Sequence, residues 1–204
     1  PFLWHNYNAN GPKYNIDIRY TSMIDLTDHS NNLNDTGSPL YAEINKSRRQ
    51  EIRYANKKGV RTEEQFDLPL FISFYRKTFE RQNVRTDNID FQELSDIITN
   101  LYKNGRARMF ISSSPDGVPG AIAIFGSDSK RLYYLFGASN PEDRNSHAGT
   151  KVLWDSFTIL GQDTLTEVDL EGINSPKRGY FKLSFGGNII PYYHISLKNE
   201  SLSK

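Results

Sequence analysis

The stretch that most constrains this chain runs from Arg106 to Ser139. There the apolar residues stop recurring every three or four positions and alternate in twos. "RARMFISS" leads to "SPDGVPG", "AIAIFG" leads to "SDSK", and "RLYYLFGAS" closes the run. A strand sends successive side chains to opposite faces, whereas a helix repeats at 3.6 residues, so this period predicts strands. The Gly, Pro, Asp and Ser between them supply turn conformations or bond their own backbone. Strands over 106–112, 120–126 and 131–137 therefore form an antiparallel meander, and the chain must build a sheet and cover it.

The flanking segments say what covers it. Residues 14–26, "YNIDIRYTSMIDL", alternate and predict a further strand, followed by a loop at "TDHSNNLNDTGS". Leu40 to Lys58 predict one helix, with Tyr41, Ile44, Ile52 and Ala55 near helical spacing and Gly59 as its stop. Pro69 to Gln82 predict a second, burying Phe71, Phe74, Tyr75 and Phe79. A third begins at Asp90, which with Glu93 resembles a capping box. Its apolar face is Phe91, Leu94, Ile97, Ile98 and Leu101, and Gly105 ends it. After the meander come a helix over Ala148–Leu160, a short strand at "EVDLEG", a short helix around "KRGYFKLSF" and a last strand, "IIPYYHISL". This order predicts an α+β, or mixed α/β, fold around one central sheet.

Composition removes several functions. The 204 residues suit one large domain or a domain with an appendage. With 25 basic and 24 acidic residues the net charge is +1, so no global nucleic-acid footprint exists and DNA is not expected as a partner. The lack of cysteine excludes disulfides, thiolate metal sites and a cysteine nucleophile, and suits a cytoplasmic protein. No apolar run approaches the ~20 residues that span a bilayer, and no signal peptide is seen. His5, His29, His147 and His194 lack ligand spacing, so no metal is expected. The opening "PFLWHNYNANGPKY" places Pro1, Phe2, Leu3 and Trp4 before any element to pack on, and reads as the start of a fragment.

Three segments could carry chemistry. Lys46, Arg49, Arg53 and Lys57 recur at helical intervals, and like charges so stacked repel by ~0.2–0.5 kcal/mol per pair. Such a stripe fits an anionic partner such as a phosphate, or a solvated face neutralised by Glu43, Glu51, Glu63 and Glu64. "ASNPEDRNSHAGTKVLW" is a polar loop opening a helix, whose first N–H groups can receive phosphate. In "DLEGINSPKRGYFKLSFGG", Asp169 and Glu171 alternate on a strand and could hold an amine or act as a base. They could equally be solubilising strand-end residues. Lys182, between Phe181 and Phe185, either snorkels to water or stands at a pocket. Ser184 has no obvious base beside it.

"SRRQEIRYANKKGV", "YYLFGASNPEDRNSHAGTKVLWDSF" and "VDLEGINSPKRGYFKLSFGG", in this order and spacing, resemble the Fem-type acyltransferases with a GNAT-like fold. The opening "PFLWHNYNANGPKYNIDIRYTSMIDL" resembles the family's passage between its two lobes. The resemblance implies a mixed, mainly antiparallel GNAT-like sheet flanked by helices. It divides the chain into an N-terminal strand and inter-lobe connection, 1–39, and a GNAT-like domain, 40–204, with an N-terminal lobe missing. It implies that Lys182 stabilises an oxyanion, that Asp169 and Glu171 position the acceptor amine, and that Arg49, Arg53, Tyr134 and Tyr180 contact substrate. Of the family's pyrophosphate loop, Arg144 and Gly149 fit, while His147 occupies the first glycine position.

The implied activity is N-acyl transfer from acyl-CoA or aminoacyl-tRNA to an amine of an envelope precursor, amino sugar or peptide, with no permanent cofactor. The family's tRNA users often carry a coiled-coil arm. None is visible here, which together with the near-neutral charge favours acyl-CoA. The rival reading is a non-catalytic lobe that binds a glycan or peptide.

Overall fold

A computed structural model of the chain describes residues 7, 13–27, 37–81 and 90–197. Seven strands, β1 (Tyr14–Asp25), β2 (Arg61–Glu64), β3 (Ala107–Ser113), β4 (Pro119–Ser127), β5 (Leu132–Ser139), β6 (Glu167–Asp169) and β7 (Asn188–Leu197), form one sheet. Its order is β2-β3-β4-β5-β6-β1-β7. Only the β5–β6 pair is parallel. The helices are α1 (Pro39–Glu43), α2 (Lys46–Lys57), α3 (Leu68–Arg81), α4 (Phe91–Lys103), α5 (Ala148–Leu160) and α6 (Pro176–Leu183), with a 3-10 turn at Pro141–Ser146.

The meander alternates between two cores. Met109, Ile111, Ile122, Ile124 and Ala138 join Phe71, Phe74 and Ile98 from α3 and α4 on one face. Phe110, Ala121, Ala123 and Phe125 join Val152, Leu153, Trp154, Phe157 and residues of α1 and α2 on the other. A strand covered on both faces is apolar throughout, which is why β4 reads "AIAIFG". The alanines on the α5 side leave room for that helix. At Gly120 a Cβ would lie 2.7 Å from the Ala148 Cβ.

Three expectations need correction. The helix expected over 40–58 is two, broken at Ile44–Asn45. Ile44 is extended (ψ 136°) and buried, and the Asn45 side chain caps α2 by accepting from the Arg48 N–H at 2.9 Å. Ile97, assigned to the apolar face of α4, is 49% exposed, and Ile98 is the buried residue there. β2, "RTEE", was not foreseen, because an edge strand with polar residues on both faces shows no alternation. The loop expected at 27–38, Gln82 and the first six residues lie largely or wholly outside the described part. The remaining helices and strands fall within a few residues of their expected bounds, and α5 matches at both ends.

Candidate functional site

The parallel pair sets up the site. β5 and β6 pair over two positions, Leu132↔Val168 and Tyr133↔Asp169. β5 runs on to Ser139, but the chain leaving β6 follows β1 instead. Leu170 N–H donates to the Ser22 carbonyl at 2.9 Å, and Ile173 N–H to the Tyr20 carbonyl at 3.0 Å. A gap therefore opens on this flank of β5. Tyr134 stands at its apex, beside the bulge where Phe125 faces Tyr134 and Ile124 faces Phe136. An extra residue in one strand re-aims its neighbours.

Lys182, on α6, reaches across this gap. Its Nζ donates to the Gly172 carbonyl at 3.3 Å and lies 5.6 Å from the Tyr134 ring centre. Behind it Phe185 is fully buried, and the Phe181 and Phe185 rings meet edge to face at 5.3 Å. Burial holds the Lys182 ammonium below the ordinary lysine range, against the opposing pull of Glu171 and Asp169.

The two carboxylates are held differently. Asp169 accepts from the Thr21 hydroxyl and, at 2.7 Å, from the Glu171 N–H. Glu171 does not alternate with Asp169 on a strand as expected: β6 ends at Asp169, and Glu171 takes a left-handed backbone (φ 61°), which side chains other than Gly adopt rarely. Partial burial, then the Asp169 charge, push the Glu171 carboxyl above the ordinary range, while Lys182 pulls it back. The Tyr134 hydroxyl is pushed far above the usual phenol range by burial, so it stays protonated. Tyr180 is 64% exposed on the outer side of α6.

The basic stripe lies apart from Lys182, on α2. Lys46, Arg53 and Lys57 are exposed and Arg49 is half-buried, its guanidinium 6.0 Å from the Tyr41 ring centre. Three of the four expected acidic partners are committed elsewhere. Glu51 pairs with Arg48, Glu64 with Arg108, and Glu43 accepts from the Gly187 N–H. Among the described residues neither Arg49 nor Arg53 has an ion pair.

Ahead of α5, His147 adopts φ 60° and ψ 23°. That is a left-handed backbone which glycine adopts without strain, at the position where the pyrophosphate pattern has its first glycine. The imidazole stacks on Tyr54, centres 5.9 Å apart. Gly149 faces the Ser139 hydroxyl, which a Cβ would approach to 3.2 Å. The Arg144 side chain lies outside the described part. Among the described residues no group of three or more His, Asp or Glu could hold a metal ion.

Arg48, next to the stripe in sequence but not part of it, is a residue of this site that the spacing of Lys46, Arg49, Arg53 and Lys57 does not pick out. It is only 8% exposed. Its Nε donates to Ser184 Oγ at 2.9 Å and its Nη1 to Thr150 Oγ1 at 2.7 Å, and it pairs with Glu51. A signal was available. Arg48 precedes Ile52 by four positions and Ala55 by seven, so it falls in line with the buried stripe of α2.

The model of the acetyltransferase (GNAT) domain matches residues 45–182, from the cap of α2 to the lysine of the gap. The chain belongs to the GNAT acetyltransferase family. The sheet is also that of several solved structures. FemX superposes with a TM-score of 0.71 at 15% identity, over 84% of this chain and 59% of its own. A conserved protein of unknown function from Bacteroides thetaiotaomicron gives 0.66 at 9%, over 95% of this chain and 65% of its own. The C-terminal domain of a putative lysylphosphatidylglycerol synthetase from Agrobacterium fabrum gives 0.61 at 14%, over 98% and 72%. At such identities the likeness is one of fold: a Fem-like GNAT sheet. The GNAT chain thus spans under two thirds of the first two. No curated protein matches it in sequence. No helix of the described residues is long and apolar enough to cross a membrane.

Proposed function

We propose that this GNAT domain transfers an acyl or aminoacyl group from an activated donor to a primary amine, with Lys182 at the reacting carbonyl. One observation carries the reading. A half-buried ammonium spans the gap between β5 and the end of β6, with two carboxylates of the same strand end acting on its charge. A cation aimed where oxygen charge develops counts for most where water is kept out, and Phe181, Phe185 and Tyr134 keep it out here.

The chemistry needs no covalent enzyme intermediate. The acceptor amine must first be neutral. Glu171, whose carboxyl burial and the Asp169 charge hold above the ordinary glutamate range, takes its proton. Asp169 is occupied by Thr21 and the Glu171 N–H, and so orients the turn that carries the base. The nitrogen lone pair then attacks the donor carbonyl. The C=O bond electrons move to oxygen beside the Lys182 ammonium. Collapse of that intermediate breaks the bond to the donor sulfur or oxygen and forms the amide; the attacking nitrogen gives up its extra proton, the departing thiolate or alkoxide takes it, and Glu171 returns to solvent the proton it took first.

Acyl-CoA is the favoured donor. The left-handed His147 and the first turn of α5 at Gly149 would receive its diphosphate. An aminoacyl-tRNA donor would place more phosphates along Arg49 and Arg53. The acceptor is an amine of an envelope precursor, amino sugar or peptide, in a cytoplasmic setting, and a second, N-terminal GNAT-like lobe would complete the acceptor side. Titration calorimetry with acetyl-CoA and longer acyl-CoAs tests the donor. Saturable binding that weakens on Gly149→Val supports the reading. No binding of any thioester, with tight binding of a glycan or peptide, would make this a non-catalytic recognition lobe.

A further inference from the structure

α6 is eight residues long, with Tyr180 and Leu183 exposed. So short a helix does not hold itself in water, and its place is set by what it packs against. Arg48 supplies much of that packing. Its Nε–H binds Ser184 Oγ, which in turn donates to the Phe181 carbonyl. Its guanidinium plane lies 4.7 Å from the Phe181 ring centre and 5.6 Å from that of Phe185. These contacts fall one residue before Lys182 and two and three after it. Next door, the α2 cap also binds the end of α6, Asn45 N–H donating to the Ser184 carbonyl at 3.1 Å. The remaining edge of the fork, Nη1, goes to Thr150 on the first turn of α5 and to Glu51.

We propose that Arg48 is the positioning residue of this site: it sets the register of α6 that puts the Lys182 ammonium between Tyr134 and Gly172, and ties that register to the first turn of α5. The proposal rests on the reading of Lys182 given above. Ser184, Thr150 and Glu51 take the Nε and Nη1 donors of Arg48, so these contacts are made with the protein itself. A lysine cannot replace it. One ammonium cannot bond Ser184 and Thr150 together while stacking on two rings, whereas a planar fork does all three. Thr150 follows Gly149 directly, so a donor seated on that turn is linked through one guanidinium to the helix bearing Lys182.

The test reads the place of Lys182 and needs no turnover. The chain is labelled with [ε-13C]lysine, and the Lys182 methylene signal is assigned by its absence in Lys182→Arg. Near the Tyr134 ring it is shielded, and Tyr134→Leu removes the shielding. In Arg48→Met the Lys182 signal is expected to lose its shielding and move to its Tyr134→Leu position. The Lys151 signal, from the buried pair with Asp155, should stay put and report an intact core. An unmoved Lys182 signal in folded Arg48→Met overturns the proposal, as does a wild-type signal that Tyr134→Leu leaves in place. Should Arg48→Met not fold, Ser184→Ala, which removes only the Nε contact, is expected to shift Lys182 in the same sense, and an unshifted signal there overturns it equally. The catalytic reading fails separately, by undiminished turnover in Lys182→Ala, and that result would leave the resonance outcome standing.

Discussion

At Lys182 two influences oppose each other on one ammonium. Burial favours the neutral amine, and Glu171 and Asp169 favour the cation. At Glu171 burial and Asp169 favour the protonated acid. If the acid must be ionised to act as base and the amine charged to meet an oxyanion, the signs follow. Activity should rise with pH through a limb above the ordinary glutamate range and fall through a limb below the ordinary lysine range. A kcat/KM profile on the identified substrates would show both, and Glu171→Gln should abolish the acidic limb. Lys182→Ala should lower kcat about 100–1000-fold, the ~2.7–4 kcal/mol lost with one oxyanion donor, with donor affinity nearly unchanged. Steady-state kinetics beside donor calorimetry separates the two quantities. The left-handed Glu171 backbone adds a further expectation. Glu171→Gly should melt no lower than the wild type, because glycine takes φ 61° without strain, yet it should lose the base. A marked fall in melting temperature would mean that the side chain holds the turn together.

At the scale of elements, α2 shows two faces with separate tasks. Its buried face delivers Arg48 to the end of α6. Its exposed face carries the stripe, none of whose charges is matched by the glutamates beside it. Replacing Arg49 and Arg53 together with Gln should therefore shift the melting temperature by no more than about 2–4 °C, since two such changes at about ±0.5 kcal/mol each sum to about 1 kcal/mol. Binding of a phosphorylated substrate should weaken and lose part of its salt dependence. Calorimetry at two ionic strengths reads this directly. α6 depends on Gly179 in a different way. A Cβ there would lie 2.0 Å from the Ile173 carbonyl oxygen, so the helix must shift or the preceding turn must open. Gly179→Ala should destabilise by about 1–3 kcal/mol, the usual range for overpacking, measurable by urea denaturation.

Across the whole molecule, one polar chain runs through the larger core. Lys151 and Asp155 pair at 2.6 Å with 4% and 1% of their side chains exposed. Asp155 also accepts from the Thr62 hydroxyl at 2.6 Å, and Thr62 shares a hydrogen bond with Ser112. The polar edge strand β2 is thereby fastened to α5 as well as to β3. Removing one partner leaves a buried charge alone, so Asp155→Ala should cost about 3–5 kcal/mol. Asp155→Ala with Lys151→Met should recover much of that loss, because no buried charge is then left unpaired. Denaturant midpoints of the three chains decide it. No gain in the double variant would show that the pair, and not the uncompensated charge, supports the fold.

What the chain determined by itself lies in its periods and its punctuation. The alternation over 106–139, the Asp90 cap and the start and stop of α5 act over a few residues. Strand period, capping and turn chemistry are local forces, and a linear reading detects them. The break at Asn45 is local too, and was lost only because apolar residues continue in helical spacing across it. The polar β2 was not legible, since pairing with β3 alone makes it a strand. The site divides along the same line. Lys182, Asp169 and Glu171 stood out because charge inside apolar or glycine-rich sequence is unusual, and the Fem-type resemblance assigned them roles. Tertiary structure alone decided that the chain after β6 leaves β5 for β1, opening the gap that Lys182 bridges. Spacing put Arg48 in line with Ile52 and Ala55, but tertiary structure alone supplied the end of α6 that its guanidinium binds. Helical spacing places a residue on a face. Which face is buried depends on the element that packs there, and for Arg48 that element comes from the far end of the chain.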